Sequence, residues 1–267
     1  MPRHPTDIFA HTAWYYARYR PAYPRAFFEH VVARCRLDGA GRLLDLGCGP
    51  GTLTLPLARH VADAIGLDPE PEMLAEAARA AAAAGIDNAR WLLGSDRDLL
   101  RLAPQIGPVR LATMGRSFHW MAQDATLADL DQLLEPGGCV VVMSDSERIF
   151  GVEGEWQAAV RAALARWVGA ERRAGSGVYR NPHDPFEVIL ARSPFARVET
   201  YTLRYSRSVT LDDLLGYLAS TSYASPAVLG AQRAAFEDDL RATLLALEPS
   251  GVLHEEITLD AWLAWRW

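Results

Sequence analysis

Short apolar runs alternate with helix-spaced stretches along the first half of the chain, and the alternation predicts strand, helix, strand. Leu43, Leu44 and Leu46 form a compact apolar run that stops at a glycine cluster, and residues 61–67 form the next. Runs this short and this apolar read as parallel strands buried on both faces. Trp91, Leu92, Leu93 and Gly94 supply a third strand, residues 109–113 a fourth and residues 139–143 a fifth. Between them, Phe27, Phe28, Val31, Val32 and Cys35 recur at helical spacing within 24–36, an alanine-rich helix fills 70–84 up to Gly85, and a further helix covers about 124–134. The helix expected after the glycine cluster runs to about residue 60 and contains Pro56. Proline removes a backbone donor, so a late start or a kink is expected there.

After Met143 the rhythm changes. Residues 153–169 and 210–247 read as helices, the second group opening on a Thr210-x-x-Asp213 capping box and restarting at Ser225-Pro226. Residues 196–206 and 255–265 read as strands. The class is therefore α/β: a doubly wound, Rossmann-like sheet with helical insertions.

The chemistry concentrates at Leu43-Leu44-Asp45-Leu46-Gly47-Cys48-Gly49-Pro50-Gly51-Thr52 and at Asp68, 21 positions after Gly47. Glycine permits the sharp turn after a strand and the close approach of a ligand, and a carboxylate at the end of the neighbouring strand accepts ribose hydroxyls. The spacing is G-x-G-x-G, and Thr52 stands where a dinucleotide fingerprint has its third glycine. No G-K-[ST] follows. A nucleoside without pyrophosphate suits this loop better than NAD or a nucleoside triphosphate.

Composition narrows the setting. The 267 residues fit one large α/β domain, or a core of about 150 residues with a subdomain. A net charge of −6 with no long basic run argues against a nucleic-acid partner. Cys35, Cys48 and Cys139 lack C-x-x-C spacing and read as reduced packing residues. Residues 1–10 hold no apolar signal core and no long apolar stretch follows, so a cytoplasmic protein off the membrane is expected. His183 and His254 have no ligand-spaced partners, so no metal is expected, and Trp262, Trp265 and Trp267 are expected to pack the last strand.

The glycine segment resembles the first motif of class I S-adenosylmethionine-dependent methyltransferases. Four further segments resemble the small-molecule methyltransferases grouped as type 11: the lead-in Tyr15-Tyr16-Ala17-Arg18-Tyr19-Arg20-Pro21-Ala22-Tyr23-Pro24, Ser117-Phe118-His119-Trp120-Met121, Leu134-Glu135-Pro136-Gly137-Gly138, and residues 216–223. The resemblance implies a seven-stranded sheet, parallel with an antiparallel terminal strand. It also implies N-terminal helices over 1–40 covering the cofactor, a core at 41–148, a helical lid at 149–194 and 209–250, and closing strands at 195–208 and 251–267. The cofactor it implies is S-adenosylmethionine, held by Tyr16, Arg20, Asp45, Gly47, Gly49, Gly51, Thr52, Asp68, Pro69, Met73, Gly115 and a residue of the third motif.

Several of these residues have two readings. Asp45 either caps its turn or lies near the methionine end of the cofactor. The third motif, Gly94-Ser95-Asp96-Arg97-Asp98-Leu99, carries Ser95 where the family has its adenine-reading acid, so Ser95 or Asp96 supplies that contact and Asp98 is expected at the surface. Tyr15, Tyr16, Tyr19 and Arg20 either pack a helix or cover the cofactor, with Arg20 on its carboxylate. His119 is a general base or a packing residue, and Trp120 is structural.

The expected activity is methyl transfer to oxygen, nitrogen or carbon of a small organic acceptor, driven mainly by positioning and desolvation, in a monomer or homodimer. The alternatives are a cofactor-binding protein of the same fold that catalyses another step, such as a cyclisation, and an NAD-dependent oxidoreductase.

Overall fold

A computed structural model describes residues 9, 11–145, 148–169, 173–174, 177–178, 184–195 and 197–266. His183, Trp267, Ala196 and most of the first ten residues, on which sequence expectations fall, lie outside that set. The elements are α1 (Ala13–Tyr19), α2 (Arg25–Arg34), β1 (Arg42–Leu46), α3 (Thr54–Ala58), β2 (Asp63–Asp68), α4 (Pro71–Ala84), β3 (Ala89–Leu93), α5 (Leu99–Ile106), β4 (Val109–Gly115), α6 (Gln123–Leu133), β5 (Leu134–Asp145), α7 (Glu155–Val168), β6 (Arg173–Ala174), β7 (Gly177–Val178), α8 (Phe186–Ala191), β8 (Arg197–Thr210), α9 (Leu211–Ala219), α10 (Pro226–Leu229), α11 (Arg233–Leu247) and β9 (Val252–Trp265).

Seven strands form one mixed sheet in the order β3-β2-β1-β4-β5-β9-β8, and β6 pairs with β7 apart from it. The first five strands are parallel neighbours, with Leu44 opposite Ile65 on one side and Ala112 on the other. The doubly wound expectation holds. It follows from apolar strands that must be covered on both faces, which helical crossovers accomplish.

Local details show why the elements stop where they do. Helix α4 starts with Pro71 in its first turn and buries Met73, Ala77 and Ala81, one face at four-residue spacing. Gly85 ends it at φ +63°, donating its N–H to Ala81 and Ala82 carbonyls. Pro56 is accommodated because α3 begins late, at Thr54, which places the proline in the first turn, where a missing N–H forfeits no helical bond. Strand β5 differs from expectation by starting at Leu134 rather than Cys139. Val109 pairs with Leu134, the register then shifts across Pro136-Gly137-Gly138, and pairing resumes with Leu111 and Cys139. Proline cannot donate and Gly137 sits at φ +79°, so the ladder must break there.

The described chain gathers into two compact units. One comprises residues 22–144, 181–203 and 260–267; the other comprises residues 1–21, 145–180 and 204–259. The first, the sheet unit, has a core of Leu44, Leu46, Ile65, Leu67, Ala112, Met114, Val140 and Val142. Helix α8, which periodicity did not distinguish from the lid region, belongs to this unit: Ile189 and Leu190 are buried in that core and Phe186 meets Phe118 and Trp262 edge-on. Six residues are too few for a helical period to register. Helix α2, expected among the covering helices, is also part of this unit and buries Phe27 and Val31.

The second, the helical unit, buries Val160, Leu164, Leu214, Tyr217, Leu218, Phe236, Leu240 and Leu244 around α7, α9 and α11. Its α9 opens on the expected capping box, with Thr210 accepting from the Asp213 N–H, and Ser225 caps α10 through the Val228 N–H.

Candidate functional site

The sheet unit brings most of the expected cofactor residues to the carboxyl ends of β1, β2 and β4. The chain leaves β1 through Gly47 (φ +64°), Gly49 (φ +53°) and Gly51 (φ +83°), backbone that L side chains rarely adopt. Gly47 and Cys48 donate their N–H groups to the Leu67 carbonyl at 2.8 and 3.2 Å, pinning the loop to the end of β2. Close packing by the protein itself adds to the demand for glycine. A Cβ on Gly47 would stand 2.5 Å from that of Ser117, whose hydroxyl donates to the Leu46 carbonyl at 2.7 Å. One on Gly51 would stand 3.0 Å from the Trp91 ring.

Two buried carboxylates flank the loop. Asp68 ends β2 and is 7% exposed; its Oδ2 accepts the Gly49 N–H at 2.8 Å and its Oδ1 the Glu70 N–H at 2.9 Å. Each oxygen keeps a further lone pair, the pattern required to accept a pair of ribose hydroxyls. Asp45 is 1% exposed and accepts from Thr54 Oγ1 at 2.6 Å and Thr113 Oγ1 at 2.8 Å. Burial pushes both carboxyls up to about 6, partly offset at Asp68 by the two backbone donors and at Asp45 by the threonine hydroxyls.

Both shifts have the same sign. With a folded-state value above the unfolded one, each group favours the protonated form, so its contribution to stability falls as pH rises from the ordinary carboxylate range through about 6. Accepting two ribose hydroxyls, the role expected of Asp68, calls for the ionised carboxylate. Affinity for S-adenosylhomocysteine is therefore expected to fall by ~10-fold per pH unit below about 6, while the ligand-free protein gains stability from these two groups over the same interval. Calorimetric titration and thermal melts between the ordinary carboxylate range and neutrality check the pair of trends.

In the third motif, Ser95 is consumed by local structure. Its hydroxyl accepts from the Arg97 N–H, and Asp98 accepts from the Ser95 N–H at 2.9 Å, a capping box around the short turn Asp96–Asp98. Asp98 lies at the surface as expected, its side chain 31% exposed. The backbone N–H of Ser95, then Arg101, hold its carboxyl below the usual range. Asp96 is 5% exposed and accepts the Ala122 N–H at 2.9 Å through Oδ2, tying this turn to the start of α6.

Thr52 is half-buried, Pro69 is exposed, and Met73 is fully packed inside α4. Gly115 ends β4, where a Cβ would meet Leu53 at 2.6 Å and the Tyr23 hydroxyl at 2.9 Å. Arg116 follows at φ +57° with its guanidinium 4.5 Å over the Tyr23 ring. Strained non-glycine backbone of this kind gathers at functional sites. His119 lies in the turn Phe118–Trp120, half-buried, its ring 4.8 Å from that of Trp120.

Tyr16 and Arg20 belong to the helical unit. Arg20 donates to Ser220 Oγ at 2.9 Å and to the Ser220 carbonyl at 3.2 Å, with its guanidinium over the rings of Tyr16 and Tyr217. Tyr19 packs against Gly216, where a Cβ would strike its ring. His254 is engaged through Ser208 Oγ, and Trp265 lies under Arg34 and Arg197. Cys35, Cys48 and Cys139 carry free thiols. Among the described residues no cluster of three or more His, Cys, Asp or Glu is arranged to hold a metal, and no helix is long and apolar enough to cross a membrane. A groove of about 750 Å³ on α2 and α3, walled by Phe28, Val32, Leu55, Pro56 and Ile86, contains none of the expected cofactor residues.

Sequence reasoning missed Thr54 and Thr113, and it named Tyr23 and Ser117 only within motifs, without their contacts to Gly115 and Gly47. Thr113 is the direct parallel partner of Asp45, a relation that exists only once β1 and β4 pair.

Fold and site define a Rossmann-like class with a glycine loop and a buried carboxylate at the carboxyl ends of its parallel strands. Residues 43–138 match the family model described as a methyltransferase domain. An uncharacterized methyltransferase of Mycobacterium tuberculosis is 27% identical over 214 residues, spanning 79% of this chain and 76% of that protein. A trans-aconitate 2-methyltransferase of the same species is 33% identical over 147 residues, 53% of this chain and 49% of that protein. A solved structure from Anaeromyxobacter dehalogenans, described as a candidate type II methyltransferase, superposes with a TM-score of 0.63 at 22% identity, covering 92% of this chain and 97% of that one. These similarities support a class I S-adenosylmethionine-dependent methyltransferase, the family model itself spanning residues 43–138.

Proposed function

We propose that this enzyme methylates an oxygen, nitrogen or carbon atom of a small organic acceptor, in the manner of the type 11 group, with positioning and desolvation supplying most of the acceleration. The observation that carries the reading is Asp68, a buried carboxylate at the end of β2 that organises the glycine loop through the Gly49 N–H and retains acceptor capacity for a ribose. The cofactor supplies a methyl group already activated on a sulfonium. Asp45, held by two threonine hydroxyls, suits the methionine end. Asp96 suits the adenine better than Ser95, whose hydroxyl is spent in its capping box. A relative named for methylating trans-aconitate supports a small acceptor.

Cofactor carrying an isotope-labelled methyl group tests this directly. Transfer predicts label in the product and one S-adenosylhomocysteine per turnover. Unlabelled product without S-adenosylhomocysteine would instead establish a cyclisation or another step on the same fold.

His119 serves this reading as a residue that shapes the acceptor side of the loop. His119→Ala is expected to leave S-adenosylhomocysteine binding unchanged and to lower kcat by no more than about 10-fold. A loss of ~10²–10⁴ in kcat with a changed pH profile would make it a general base.

A further inference from the structure

The helical unit contains a buried arginine whose described partner, Glu255, it shares with a second arginine. Arg148 is 4% exposed; its Nε donates to Glu255 Oε2 at 2.8 Å, while one terminal nitrogen lies 2.8 Å from Oε1 without the alignment of a hydrogen bond and the other meets no acceptor. Arg207 binds Oε1 of the same Glu255 through its Nε. Arg20, the third guanidinium, donates among the described residues to the neutral oxygens of Ser220. Arg20 and Arg148 both lie over the ring of Tyr217, at 4.9 and 4.1 Å. Two of the three guanidiniums thus share one carboxylate, and the most deeply buried, Arg148, keeps a terminal nitrogen with no acceptor.

A buried cation with unmet donors is costly unless an anion completes it. A planar guanidinium presents paired N–H groups matched to the two oxygens of a carboxylate. We infer that Arg148, with Arg20 and Tyr217 beside it, forms a recognition site for the carboxylate of a small-molecule ligand of this enzyme. The inference rests on the methyltransferase reading and adds to it a ligand class. Entry requires side chains around Arg148 to give way, a common accompaniment of binding. Two ligands of a methyltransferase can carry that group, the acceptor and the cofactor, and the experiment separates them.

Calorimetry on the complex with S-adenosylhomocysteine, near neutral pH, compares succinate, benzoate, phenylacetate and indole-3-acetate with their amides, and inorganic phosphate with chloride. The expected result is that at least one acid binds about 10-fold or more tightly than its amide, and that Arg148→Met removes the difference. Arg148→Lys keeps the charge but loses the fork, and is expected to lose most of the preference. It serves as the test should the methionine variant not fold, with thermal melts reporting the folded state of each. If instead Arg148→Met weakens S-adenosylhomocysteine by about 10-fold and leaves methylthioadenosine unaffected, the carboxylate held is the cofactor's. Acids and amides that bind alike with no change in S-adenosylhomocysteine affinity, an acid preference that survives both variants, or phosphate as the only anion bound would each overturn the inference. Methyl transfer from labelled cofactor to an uncharged acceptor would then leave the enzyme reading standing, whereas bound cofactor with no transfer to any acceptor would count against that reading instead.

Discussion

Asp68→Ala is expected to weaken S-adenosylhomocysteine binding by ~10²–10⁴-fold. Two hydrogen bonds from ribose hydroxyls to an ionised acceptor are worth ~1.5–3 kcal/mol each, and ~1.4 kcal/mol corresponds to a factor of ten. The loss is compounded because the Gly49 N–H, which Asp68 accepts at 2.8 Å, loses its partner inside the protein. Asp68→Asn separates the two roles. It keeps one acceptor oxygen and the side-chain volume and carries no charge to bury, but its amide NH2 faces one of the two backbone N–H groups that Asp68 accepts, so its melting temperature at neutral pH is expected to fall less than that of the alanine variant while binding still falls. Isothermal calorimetry and thermal melts read both quantities. An alanine variant that binds within about two-fold of the parent would remove Asp68 from the cofactor site.

Gly47→Ala is the second large effect, on stability as well as binding. A residue with a Cβ in the left-handed region costs ~1–2 kcal/mol, and forcing a methyl to within 2.5 Å of the Ser117 Cβ adds ~1–3 kcal/mol of overpacking. Ser117 cannot simply rotate away, because its hydroxyl is bound to the Leu46 carbonyl in a buried setting and its Cβ position is set by the backbone. At ~2–4 °C per kcal/mol, a melting temperature lower by roughly 5–15 °C is expected. Gly39→Ala is the matched control. Gly39 has a similar positive φ, +88°, but a Cβ added there would meet nothing within 4 Å, so only the conformational cost is expected. Equal losses in the two variants would show that Ser117 yields freely.

These two residues also show how far reading along the chain can go. Gly47 and Asp68 are legible because their meaning is local: a glycine ending an apolar run marks a turn, and an acid ending the next run marks the ligand-facing end of a parallel sheet. The environment of Asp45 is not local. Its two threonines stand nine and 68 positions away, and Thr113 faces it only because β4 takes the place beside β1. The third motif misleads for a related reason. Ser95 reads as a ligand contact until the turn closes and its hydroxyl is engaged in a capping box with Asp98. Helix α8 fails differently, being too short for its burial face to repeat.

The sequence by itself determined the doubly wound class, the parallel strands, the glycine turn and the acid beside it, because steric and hydrophobic preferences act over a few residues and repeat with a fixed period. Tertiary structure alone decided what surrounds those residues: that Gly47 must clear Ser117, that Asp45 is held by Thr54 and Thr113, and that Arg148 and Arg207 share Glu255. Such contacts join positions far apart in the chain, and the free energy of burying a charge depends on which groups close packing brings to it rather than on any residue's neighbours in sequence.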